Sequence, residues 1–255
     1  MNAVTLRLEL LRILRDPVTL FFTVGLPVFF YLVFGASQDY SAFDAGNGNV
    51  AMAIMVAMAA YGAVTATVGL GGLAALERRQ GWGRQLGLTP MRDLSFVALK
   101  TTVAVVFAAA AIGLVFAAGA LTTARGDAAA WLLSALVLVI GASVFSLYGL
   151  CFALAFGSEA AMSAAGGSIV ILGFLGNIFV PLSGTLLTIA KFTPLYGYAA
   201  LARYPVTDGR VLAGDGADAG LVAEPLWVPL LNVTAWTLLL LVIAGLLVGR
   251  SRGRE

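Results

Sequence analysis

Long apolar runs separated by short polar segments set the pattern of this chain. A bilayer core about 30 Å thick is crossed by roughly 20 apolar residues in helical form. Runs that meet this length extend over Val18–Ala36, Val50–Leu76, Leu94–Leu121, Ala128–Phe156, Ala160–Val180 and Leu226–Gly249. The pattern predicts an all-α integral membrane fold with six transmembrane helices in a single domain, residues 1–255. An amphipathic interfacial helix (1–16) precedes the spans, a charged segment (77–90) joins the second to the third, and an external region (181–225) with a short re-entrant or interfacial segment lies between the fifth and sixth.

The stretch from Ala3 to Asp16 cannot itself cross, because Arg7, Glu9, Arg12 and Arg15 interrupt it. Leu6, Leu10, Ile13 and Leu14 recur at three- and four-residue spacing, the pattern of a helix lying in the headgroup region with its basic residues toward anionic lipid. Pro17 disfavours helical backbone at Asp16 and lets the chain turn there into the bilayer. A secretory signal would carry a small-residue cleavage site after its apolar run, and none follows the first span.

Composition narrows the class. Sixty per cent of the residues are hydrophobic and 11% are charged, and the mean hydropathy is +0.97. A soluble domain of this length could not hide so much apolar surface. The basic residues orient the spans. Arg7, Arg12, Arg15, Arg78, Arg79, Arg84, Arg92, Lys100, Arg250, Arg252 and Arg254 fall on one side of a six-span arrangement, and only Arg125, Lys191, Arg203 and Arg210 on the other. By the positive-inside rule both termini face the cytosol, in a cell (inner or plasma) membrane. The single cysteine, Cys151, sits in an apolar run and forms no intrachain disulfide.

The external region is not uniform. Pro181-Leu182-Ser183-Gly184 breaks the fifth run, and Thr185 to Ala190 is apolar but too short to cross, which suits a re-entrant or interfacial helix sheltered by other protein. Asp208 to Glu224 is rich in Gly, Ala and Asp and reads as a flexible surface loop. Asp215 and Asp218 alone do not make a set of oxygen ligands for calcium.

The residues that are missing exclude several chemistries. There is no histidine, which removes Ser-His and Cys-His nucleophilic pairs and the commonest metal ligand. No G-x-x-x-x-G-K-[ST] phosphate loop occurs, so the chain is not expected to hydrolyse ATP or to act as an enzyme by itself. The deep portions of the six runs carry no Asp, Glu, Lys or Arg, whereas ion-coupled transporters place ionisable groups there. Sodium coupling through backbone carbonyls stays open.

The charged segment is the available handle for an outside source of energy. Its pattern, E-R-x-x-G then R-x-L then T-P, is carried by Glu77, Arg78, Gly81, Arg84, Leu86, Thr89 and Pro90, and it resembles the loop between the second and third spans of ABC-2 type transporter permeases. Arg15-Asp16-Pro17, Pro27, Phe34-Gly35, Pro181-Leu182-Ser183-Gly184, Phe192-Thr193-Pro194-Leu195-Tyr196 and Arg203 extend the resemblance over most of the chain. The chain departs from that family at Arg79, where a second acidic residue is common, and at Trp82, where a small or hydroxyl residue is. The resemblance implies a permease whose loop helix docks in a groove of a nucleotide-binding subunit, with Glu77, Arg78, Arg79, Gly81, Arg84 and Leu86 forming the contact. It also implies that ATP and magnesium are bound by that partner and none by this chain, and that a second copy or a related permease completes the pathway.

Close-packing glycines, Gly69, Gly71, Gly72, Gly166, Gly167, Gly173, Gly176, Gly245 and Gly249, suit contacts within one subunit or between two. For a substrate path the candidates are Phe29, Phe30, Tyr31, Phe174, Asn177 and Phe179; a polar amide in an apolar span seeks a partner, which is either another helix or a ligand. A hydrophobic or amphipathic cargo, such as a drug, antibiotic, peptide or lipid, fits a path without charge. Lipid and the partner subunits are the expected contacts, with no nucleic acid. Two other readings share these features: a secondary transporter or channel working without an ATPase, and a membrane scaffold that transports nothing.

Overall fold

The computed structural model describes residues 3–77, 93–214 and 220–252. An amphipathic helix α1 (Ala3–Leu14) leads into α2 (Pro17–Ala36). Three helices follow without internal breaks: α3 (Val50–Glu77), α4 (Asp93–Leu121) and α5 (Ala128–Phe156). Then come α6 (Glu159–Leu175), α7 (Gly184–Ala190), α8 (Pro194–Thr207), a hairpin of β1 (Arg210–Ala213) and β2 (Gly220–Ala223), and α9 (Trp227–Arg252). Among the described residues five helices, α2 to α5 and α9, are long and apolar enough to cross a membrane.

This differs from the six expected crossings. The run predicted over Ala160–Val180 ends as a helix at Leu175, where Gly176 and Asn177, with φ of 57° at Asn177, turn the chain away. Its 17 residues at ~1.5 Å rise reach about 25 Å, short of a ~30 Å core. The loop expected over Asp208–Glu224 is also more ordered than its composition implies. Arg210 pairs with Ala223 and Ala213 with Gly220 in an antiparallel hairpin, beginning just after Asp208 and Gly209, both at positive φ. Asp215 and Asp218 lie outside the described residues.

Helix α3 is the centre of the bundle. Its membrane-length window is 89% buried, against 17% for α9 and 28% for α5. Met52, Met55, Met58, Val64 and Val68 pack there with Ile112 and Val115 of α4, Leu138 and Phe145 of α5, Ile169 of α6 and Tyr198 and Val206 of α8. Apolar helices gain little from meeting one another rather than lipid, so close backbone approach has to hold them. Gly149 of α5 lies so near Val68 that an added Cβ would strike its backbone, and Gly71 meets Ser146 in the same way. Gly62 does this for α2, resting 2.8 Å from the Thr23 carbonyl and 3.0 Å from the Pro27 ring as measured from an added Cβ. By contrast Gly69, Gly166, Gly167 and Gly245 have open space in front of them.

Polar groups fasten the two ends. At one end Ile13 and Leu10 of α1 dock on Leu99, Val103 and Phe107 of α4, and the Lys100 ammonium meets Glu9 at 2.9 Å. Asp16 caps α2, its carboxylate accepting from the Val18 and Thr19 amides and the Thr19 hydroxyl; these bonds hold its carboxyl below the ordinary value. At the other end the loops before α3 and before α5 join. The Asn49 amide side chain donates to Thr123 O at 2.8 Å and accepts from Met52 N and Arg125 N at 3.0 and 2.9 Å. Backbone bonds Asn49 N to Arg125 O and Asp127 N to Asn47 O complete the seam.

Asn49→Ala removes all three side-chain bonds at a 9% exposed position and is expected to cost about 1–3 kcal/mol. Thermal unfolding of the detergent-solubilised protein should show a lowered midpoint, with helix content by circular dichroism unchanged before the transition.

Candidate functional site

A cavity of about 370 Å³ opens at the end of the bundle that carries the Asn49 seam. Phe34 of α2, Tyr40 and Phe43 of the following loop, Val50, Ile54 and Ala57 of α3, and Asn177 to Phe179 with Pro181 line it. Ala213 and Gly220 of the hairpin close one side and Arg203 of α8 another. Among the described residues the wall is mostly aliphatic and aromatic, with Arg203 the one full charge in it. Its volume falls within the ~300–1,000 Å³ of small-molecule sites, and a mostly apolar lining with few polar groups is their usual character.

Local structure explains how these groups converge. Asn177 adopts the left-handed conformation that its short amide tolerates, and its Oδ1 accepts from Leu182 N at 2.7 Å, closing the turn out of α6. Phe179 is thereby placed among Phe30, Tyr61 and Phe174, with ring centroids 5.4, 4.8 and 5.0 Å away in edge-to-face geometry. Phe30 in turn stacks toward Phe34 at 5.7 Å.

Of the residues singled out in sequence, Phe30, Phe174, Asn177 and Phe179 come together here. Asn177 and Phe179 line the cavity itself. Phe29 is 56% exposed on the outer face of α2. Tyr31 points the opposite way, fully buried, with its hydroxyl 2.8 Å from Thr122 Oγ1. The expected partner contact lies outside the described residues: α3 ends at Glu77, and Arg78, Arg79, Gly81, Arg84, Leu86 and the Glu77 side chain are not among them.

The sequence reading missed α8. Pro194–Thr207 is almost wholly buried, against α3, α5 and α9, and it brings Arg203 into the protein at 5% exposure. One guanidinium nitrogen, Nη1, donates to Asn177 O at 3.1 Å. The other, Nη2, is buried and has no hydrogen-bond partner among the described residues. Burial presses the guanidinium toward a lower pKa, opposed by the neighbouring Tyr196 and Glu224; an arginine keeps its charge through such a shift.

Glu224 balances this charge at a distance and organises the turn between α7 and α8. Its 4% exposed carboxylate meets Lys191 Nζ at 2.9 Å and accepts from the Tyr196 hydroxyl at 2.8 and 2.9 Å. Burial, then this hydrogen bond, push the Tyr196 hydroxyl far above its ordinary pKa, so it acts as a fixed donor. Helix α9 holds the same turn from the other side: Asn232 donates to Lys191 O and Thr193 O, and the Trp236 indole donates to Phe192 O.

No protein-family model matches the chain, and neither does any curated protein sequence. Among the described residues no group of three potential metal ligands gathers.

Glu224→Gln keeps an acceptor for Tyr196 and leaves Lys191, which is 38% exposed, free to reach water. Glu224→Ala strands the buried Tyr196 hydroxyl, with an expected cost of about 1–3 kcal/mol. Chemical unfolding should therefore rank wild type above Gln and Gln above Ala; equal losses for the two variants would contradict the assigned roles.

Proposed function

We propose that this chain is the membrane-spanning permease subunit of an ABC transporter of the ABC-2 type, exporting a hydrophobic or amphipathic compound. ATP is hydrolysed by a separate nucleotide-binding subunit, which carries the magnesium, and a second copy of the chain or a related permease completes the pathway. The observation that carries this reading is the charged segment between Glu77 and Pro90, with its E-R-x-x-G, R-x-L and T-P order, set between two apolar helices that each reach across a bilayer.

Three features support it. Helices α3 and α4 enter and leave the segment at the end of the bundle where the interfacial α1 docks on α4. The cavity opens at the opposite end, beside Phe34 and Phe43. The five long helices carry no charge in their deep portions, so energy has no titratable relay within them. In the proposed topology α6 and the returning chain through Pro181 make the sixth passage, both termini are cytoplasmic, the cavity faces the outer leaflet, and the protein sits in the plasma membrane.

The test is co-purification of the tagged chain with a nucleotide-binding subunit encoded beside it. A stable complex whose ATPase rate changes when the permease is present is the expected result. Glu77→Arg should weaken that complex by at least about tenfold, the scale of one lost charge-assisted contact (~1.4 kcal/mol), while membrane insertion is unchanged. Ion-gradient-driven flux without ATP would favour a secondary transporter instead, and assembly without flux a scaffold.

A further inference from the structure

The cavity at the Asn49 end of the bundle has a wall whose polar side chains are already engaged. Among the described lining residues these are Tyr40, Asn177 and Arg203. The Tyr40 hydroxyl donates to Phe34 O at 3.2 Å. Asn177, 2% exposed, accepts from Leu182 N through its side chain and from Arg203 Nη1 through its carbonyl. Arg203 Nη2 is sealed by protein rather than open to the cavity. The space is therefore bounded chiefly by Phe34, Phe43, Val50, Ile54, Ala57 and Phe179. A water molecule in such a space needs roughly two to four polar partners, and this wall offers few.

Size and charge narrow the occupant further. The volume, about 370 Å³, is more than twice the ~150 Å³ at which a dry apolar cavity already takes benzene, so there is room for more than one ring. A charged group at hydrocarbon depth is costly unless paired, and no carboxylate belongs to the described wall. Behind the wall Arg203 and Lys191 stand against the single carboxylate of Glu224, which adds repulsion for a cation. Asp39, Asp44 and Asp208 are exposed, where water and salt screen them. An anion would lose its own water and meet the guanidinium only through protein. Phe34 and Phe43 both line the cavity and stand 39% and 66% exposed, so an apolar rim leads into it.

We propose that this cavity binds an uncharged apolar body larger than one ring, held by packing against Phe34, Ile54 and Phe179, and that it rejects charged analogues of the same shape. The chemistry is shared by the hydrocarbon tail of a membrane lipid and by a dissolved apolar compound. As a binding site it is complete within one chain; as the resting place of a cargo it deepens the transport reading and rests on it.

The experiment uses the full chain in phosphatidylcholine nanodiscs with the photolabel adamantyl diazirine, whose cage is a compact hydrocarbon, and maps the labelled residues by mass spectrometry. Labelling at Phe34, Ile54 or Phe179 that saturates with probe concentration is expected. At equal bilayer concentration adamantane should compete for it at least about tenfold better than 1-adamantylammonium or 1-adamantanecarboxylate, a minimum set by the cost of a charge at hydrocarbon depth. Ala213→Trp, which fills the space from the hairpin, and Ile54→Phe, which fills it from α3, should each abolish the saturable component while circular dichroism shows the helices intact. A phosphatidylcholine with the diazirine in its tail distinguishes the sources: label at the same residues assigns the occupant to membrane lipid, and saturable labelling by the free probe alone assigns it to a dissolved compound. Saturable binding without ATP-linked flux would leave the site standing and end only the transport reading. Labelling that is absent from these residues, that never saturates or that ignores Ala213→Trp would overturn the proposal, as would charged analogues that compete as well as adamantane.

Discussion

The fold depends on one constraint: a helix buried on nearly every side must let its neighbours come close without help from the hydrophobic effect. Lipid tails are as apolar as leucine, so packing and backbone approach must do what water expulsion does in soluble proteins. Helix α3 meets this with small side chains. Its run of Ala51, Ala53, Ala57, Ala59, Ala60 and Ala63 is buried almost to zero exposure, and Gly62 and Gly71 admit the backbones of α2 and α5. Substituting bulk at any of these points would move a whole helix rather than a side chain.

Small residues specify distance but not register, and the polar seams supply that. Asn49 joins the loop before α3 to the loop before α5, and Tyr31 reaches from α2 to Thr122 at the end of α4. Glu224, Tyr196, Lys191, Asn232 and Trp236 do the same around the α7–α8 turn. Most of these bonds finish on groups at helix ends and turns, where backbone groups lack intrahelical partners. Away from water an unsatisfied group is costly, so the breaks in helix are also the places where side-chain amides and hydroxyls collect.

What could be read from the sequence follows from this division. The long helices are visible because lipid imposes a simple rule, and the expected bounds for α2, α3 and α5 agree with those observed to within a residue or two. Helix α8 is shielded by protein rather than lipid, so its mixed stretch PLYGYAALARYPVT carries no hydropathy signal and even contains Pro205. Arg203 consequently looks like a surface charge in the sequence and is buried in the structure. Asn177 does stand out as a polar residue in an apolar run, yet its role, ending α6 by adopting φ of 57°, is a backbone property that composition does not express. Phe29, Phe30 and Tyr31 could never share a function as one group: successive helical residues are turned about 100° apart, so one meets lipid, one the aromatic cluster and one the core.

The two ends of the bundle are therefore unlike in kind. One holds α1, the Lys100–Glu9 pair and the start of the charged segment; the other holds the cavity, and α3 with its 28 residues separates them by about 42 Å at ~1.5 Å per residue. Of the described helices that run between these ends, α2 is built irregularly. It passes through π-helical turns at Phe21–Gly25 and Leu32–Ala36, with Leu26 N bonded to Phe21 O and Ser37 N to Leu32 O. Pro27 between them has no N–H to return to the Thr23 carbonyl, which instead lies against Gly62 of α3. A π turn holds an extra residue that a return to regular α-helix would expel, rotating everything beyond it by roughly a quarter turn. The second π turn carries Phe34, which lines the cavity, and Gly35, which packs on Tyr31 and Ile54. The same irregularity that shapes the cavity wall thus sits on the helix that follows α1, so one helix joins the two unlike ends of the bundle.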